Sequence, residues 1–119
     1  MPQHKNNWAA THLVIGITGH RNLRDQELPA LHDKVQGFFQ DLQLRYPDLP
    51  LCLLSSLAAG SDQLVTAIAL NMGIRVIAPL PMSAEQYLED FDNDKSRVIF
   101  QSQCQQVELL TIPLHHGSV

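Results

Sequence analysis

Four short apolar runs, separated by stretches with helical spacing, most constrain what this chain can fold into. They are Leu13–Ile17, Leu51–Leu54, Ile74–Ala78 and Val107–Ile112. Each is shorter than a typical helix, and the first three are apolar without the alternation of a half-exposed strand. Strands of that kind belong to parallel sheets whose faces are covered by helices. Between the first two runs, Leu28, Leu31, Val35, Phe38, Phe39, Leu42 and Tyr46 recur at spacings of three and four. That spacing predicts an amphipathic helix from Gln26 to Tyr46, with Pro29 in its first turn and Pro47 and Pro50 stopping it. Gly37 inside this helix costs roughly 1 kcal/mol relative to Ala, so it is expected to mark close packing.

After the second run, Ser61 is expected to cap a helix over Asp62–Met72, with Gly73 as its terminating residue. Pro79 and Pro81 are expected to close the third run. Ser83 with Gln86 three positions on reads as a capping box for a helix holding Tyr87, Leu88 and Phe91. A further helix is expected over Lys95–Gln105. The order β-α-β-α-β-α-β predicts a three-layer, Rossmann-like α/β domain with a parallel sheet. Residues 1–12 read as a polar leader and 13–119 as one such domain, since 119 residues suffice for a single core. A doubly wound sheet would continue with a helix after the fourth strand, so the domain reads as truncated there. The apolar surface left uncovered predicts self-association, as a symmetric dimer.

Composition narrows the function classes. Hydrophobic residues at 45% and charged residues at 17% exclude a disordered chain. Eight Lys and Arg against twelve Asp and Glu give a net charge of −4. The cations are scattered, so there is no basic stripe for duplex nucleic acid. Cys52 and Cys104 have no zinc-knuckle or disulfide-framework spacing, which points to a reducing compartment. No run approaches the ~20 apolar residues of a membrane span, and the leader has no signal-peptide core. The expectation is a soluble cytoplasmic protein without a membrane partner.

In open parallel sheets, ligands bind outside the carboxyl ends of the strands. Three loops fall there: Thr18–Arg24, Ser55–Ser61 and Pro79–Ser83. In the first, Gly19 permits the positive φ of a tight turn with exposed backbone N–H groups. Thr18 adds a hydroxyl and Arg21 a cation, a set suited to a phosphate or carboxylate. His20 in the same loop has no partner carboxylate in view and reads as a stacking or packing residue. In the second loop, small residues lead through Gly60 to a helix N-terminus, leaving room for a ligand to reach the backbone. Ser55, Ser61 and Asp62 complete that set, with Asp62 able either to cap the helix or to accept from a ribose hydroxyl. No base accompanies the serines, so no catalytic constellation is identified. Asp90–Ser96 imitates the start of a calcium loop. Lys95 stands where that loop needs Gly, and Gln101 where it needs Glu, so no metal and no cofactor is expected.

Taken together, Val14-Ile15-Gly16-Ile17-Thr18-Gly19-His20-Arg21 and Leu54-Ser55-Ser56-Leu57-Ala58-Ala59-Gly60-Ser61-Asp62-Gln63-Leu64 resemble the SLOG superfamily. That group joins the DNA-processing protein A family with the LOG family of cytokinin-activating enzymes. The second segment is similar to the S-x-L-A-x-G-x-D-x-x-A signature of the DNA-processing side. The resemblance implies a Rossmann-like fold whose loops bind nucleotides or nucleotide-derived ligands. It places Gly16, Thr18, Gly19, Arg21, Ser55, Gly60 and Asp62 in the pocket. It also implies the N-terminal portion of a longer SLOG-type domain. The Pro-Gly-Gly-x-Gly-Thr-x-x-Glu motif of the LOG enzymes has no counterpart in this sequence. The leading expectation is therefore a binding or sensing module for a nucleotide-like, phosphate-bearing ligand. A nucleotide or phosphoribosyl hydrolase and a single-strand DNA binder stand as alternatives.

Overall fold

The computed structural model describes residues 12–17 and 25–112. It contains the strands β1 (Leu13–Gly16), β2 (Leu51–Leu54), β3 (Arg75–Leu80) and β4 (Glu108–Thr111). The helices are α1 (Leu28–Arg45), α2 (Ser61–Asn71), α3 (Ala84–Leu88) and α4 (Asp94–Cys104), with a 3₁₀ turn at Asp25–Glu27 before α1. The four strands form one sheet in the order β1-β2-β3-β4, all parallel. The α/β class, the element order and the parallel sheet thus agree with the sequence expectation.

Local chemistry explains where the elements stop. Pro29 sits in the first turn of α1, and the N–H of Tyr46 closes that helix on Leu42 O at 2.9 Å. Gly73, at φ +75°, follows the end of α2 in the left-handed conformation that suits glycine. Ser83 caps α3 by accepting from the Gln86 N–H, and Asn93 caps α4 by accepting from the Ser96 N–H.

Several expectations are corrected. β3 runs through Pro79 to Leu80 instead of closing at Ala78. Ser55 N–H donates to Ile77 O, so Pro79, two residues on, turns its missing donor to the same side. On that side β2 has already ended at Leu54, and no ladder bond is lost. Ser61 is the first residue of α2 and not its cap; Gly60 holds the cap position at φ +91°. A Cβ on Gly37 would meet no atom within 4 Å, so Gly37 marks no close packing. Along α1, Leu31, Val35, Phe39 and Leu42 turn inward, whereas Phe38 and Tyr46 of the expected stripe are exposed.

Of the three layers expected, two occur among the described residues. Leu51, Leu53 and Val76 pack with Phe39, Val65, Ile68 and Ala69 from α1 and α2. Ala78 and Leu80 pack with Leu57, Phe91 and Phe100. By register and alternation these strand residues share one face of the sheet. Right-handed crossovers between strands laid down in one direction put every helix on the same side. The opposite face carries Val14, Cys52, Leu54, Arg75, Ile77, Pro79, Glu108 and Leu110. Val14 and Leu110 there are 54% and 52% exposed. No described helix is long and apolar enough to cross a membrane.

Candidate functional site

Because the sheet is parallel, the carboxyl ends of all four strands lie on one edge. Gly16, the last residue of β1, pairs in register with Leu54, the last residue of β2. The two motif segments therefore leave the sheet side by side. Thr18, Gly19, His20 and Arg21 lie outside the described residues.

The loop from Ser55 to Gly60 is held by buried polar side chains. Ser55 is fully buried, and its hydroxyl accepts from the Leu57 N–H at 3.2 Å and from the Thr66 hydroxyl at 2.7 Å. Ser56 Oγ donates to Asp62 Oδ2 at 2.7 Å, tying the loop to the first turn of α2. Gln63 donates from Nε2 to Leu57 O at 3.3 Å and to Ser96 O at 3.0 Å, which anchors the loop to α4. Gln103 Nε2 donates in turn to Gln63 O at 2.9 Å. Leu57 itself is at φ +60°, a left-handed conformation that costs a branched residue energy. Its side chain is fully enclosed in the core. Among the described residues, the backbone N–H groups of Ala59 and Gly60 have no acceptor.

Beside this loop lies a cavity of about 300 Å³. Ala58 and Ala59 form one wall; Tyr87, Asp90, Phe91, Asp92 and Asn93, from α3 and the link to α4, form the other. The rings of Tyr87, Phe91 and Phe100 pack at centroid distances of 5.0 to 5.7 Å, which sets the orientation of Tyr87. Arg97 Nε donates to Phe91 O at 3.2 Å. No cation is among the described lining residues.

Of the residues expected at the site, Gly60 opens the turn, while Ser55 and Asp62 use their side chains to brace the loop. Ser61 is buried in the first turn of α2. Gly16 leaves open space where a Cβ would stand. Sequence reasoning missed Leu57, Gln63 and Thr66 as structural parts of the site, and it considered Asp90 and Asp92 only within the stretch that imitates a calcium loop. Asp90–Ser96 runs into α4 from Asp94 onward, so helix occupies most of what would be a calcium loop.

Neither cysteine lies in the cavity, and both are free. Burial pushes the Cys52 thiol up from its ordinary pKa, opposed by the Arg75 cation and aided by the Glu108 anion. Burial alone pushes Cys104 up. Both changes lower the thiolate fraction and hence the reactivity.

The fold can now be set beside known proteins. No protein-family model matches the sequence, and no curated protein does. Among solved structures, the X-ray structure of DNA processing protein A (DprA) from Streptococcus pneumoniae is similar, with a TM-score of 0.54 and 20% sequence identity. The shared feature is a Rossmann-like fold. The match covers 92% of this chain and 36% of that one, so the chain spans about a third of that protein's length. At this identity the likeness concerns the fold alone.

Proposed function

We propose that this chain is a cytoplasmic binding module for a nucleotide-derived, phosphate-bearing ligand held at the carboxyl edge of the sheet. The observation that carries the reading is the braced Ser55–Gly60 loop. It leaves the sheet next to β1, turns through positive φ at Gly60, and presents backbone N–H groups and a cavity on the same edge. Backbone donors at the start of a helix favour an anion, and Arg21 on the adjoining segment would supply a full positive charge. The site is built for holding rather than for chemistry. The buried hydroxyls of Ser55 and Thr66 are committed to each other, and the described residues of the cavity wall include neither a histidine nor a thiol. The free thiols of Cys52 and Cys104 suit a reducing compartment.

The test is calorimetric titration with AMP, GMP, ribose 5-phosphate and a single-stranded oligonucleotide. Saturable binding of at least one small phosphate compound is expected. Arg21→Ala should weaken it by roughly 1.5–3 kcal/mol, the range for a hydrogen bond to a charged group. Binding of the oligonucleotide alone would move the chain to the single-strand DNA reading.

A further inference from the structure

We infer that the cavity between the Ala58–Ala59 loop and the α3–α4 link takes the ribonucleoside end of the ligand, with its vicinal sugar hydroxyls donating to Asp90 and Asp92. This rests on the function proposed above and adds an orientation to it. The volume of about 300 Å³ lies at the bottom of the roughly 300–1,000 Å³ range for small-molecule pockets. That suits one nucleoside rather than a dinucleotide.

The lining chooses which end enters. Ala58 and Ala59 leave backbone within reach, and Tyr87 contributes an aromatic surface held in place by Phe91 and Phe100. An ionised carboxylate only accepts hydrogen bonds, as does a phosphate oxygen. Asp90 and Asp92 therefore match a pair of adjacent hydroxyl donors and repel phosphate. Neither carboxylate is ion-paired with a described cation. Arg97 has its Nε on Phe91 O and is not among the described lining residues. The donors that suit a phosphate lie instead on the loop side, at Ala59 and Gly60. The ligand is thus polarised, with sugar and base against the α3–α4 link and phosphate toward the loop.

The experiment titrates AMP, adenosine, 2′,3′-dideoxyadenosine monophosphate and spermidine into the native chain and into the Asp90→Asn/Asp92→Asn double variant. Both positions are exposed and the amides are isosteric, so circular dichroism should show an unchanged fold. AMP is expected to bind the native chain at least about tenfold more tightly than its dideoxy analogue, since each of the two lost hydrogen bonds to a charged group is worth about that much. The double variant should erase that difference while keeping the gain of AMP over adenosine. Equal binding of AMP and the dideoxy compound, or discrimination that persists in the double variant, would overturn this inference but leave the nucleotide reading standing. So would spermidine binding that the double variant abolishes, which would make the cavity an amine site. If AMP does not bind, this inference falls, and the function proposed above falls with it only if GMP and ribose 5-phosphate fail as well.

Discussion

The hydroxyl of Thr66, one turn into α2, donates to the hydroxyl of Ser55, at the end of β2, across 2.7 Å with both side chains withdrawn from solvent. The same Ser55 oxygen accepts from the Leu57 N–H, so one buried atom joins a strand end, a helix and the bend between them. Thr66→Val keeps the shape and removes the donor. It should cost about 1–3 kcal/mol in urea unfolding. Ser55→Ala added to it should cost less than the sum of the two single changes, because they share one bond.

Leu57 combines a buried side chain with a left-handed backbone. Truncation to Ala loses the burial and keeps the strain, and should destabilise by about 2–5 kcal/mol. Leu57→Gly loses the same contacts but relieves a left-handed cost of roughly 1–2 kcal/mol. The glycine variant is therefore expected to be no less stable than the alanine variant. That is the reverse of the order at a position with negative φ. Denaturant midpoints measured side by side decide it.

Two glycines should behave in opposite ways. Gly37→Ala meets no steric obstacle inside α1 and should stabilise the chain by about 0.8–1.0 kcal/mol, visible as a raised Tm. Gly60→Val forces a β-branched residue to φ +91° and should weaken AMP binding far more than Gly37→Ala does. Equal effects on affinity would remove the Gly60 turn from the site.

On the sheet face opposite the described helices, Arg75 and Glu108 form a bidentate pair between β3 and β4, with Arg75 Nη2 at 2.9 Å from Glu108 Oε1. The hydrogen bond from Arg75 holds the Glu108 carboxyl below the ordinary carboxylate range. A depressed acid contributes stability above its unfolded pKa of about 4.3 and loses it as pH falls through the lower folded value. Glu108→Gln should therefore flatten the acid limb of the stability profile below that pH. The effect should be small at an exposed site and shrink further in high salt.

Val14 and Leu110 stand on that face half exposed, with Leu54, Ile77 and Pro79 between them. Contiguous apolar surface of this kind is expected to drive self-association at micromolar concentration, as a symmetric dimer. Leu110→Lys should shift light scattering toward the monomer mass of 13.3 kDa. A native chain that is monomeric throughout would refute it.

The amino-acid sequence by itself determined the elements and several of their ends. Pro29, Pro47, Gly73 and the Ser83–Gln86 pair act through φ restrictions and capping bonds that reach no further than one helical turn. The tertiary structure alone decided how the elements are arranged. The strand order that puts all helices on one face is a choice among non-local pairings, which apolar runs of similar composition do not distinguish. Leu57 adopts positive φ only because Ser55, Gln63 and the core around Phe91 and Phe100 hold it there. No local signal marks a leucine for that conformation. The cavity arises because crossovers bring Ala58 beside Asp90 and Asp92, residues whose separate neighbourhoods read as a small-residue loop and a solvated acidic link. Local preferences act within a few residues. The site is made by packing between segments far apart in the chain.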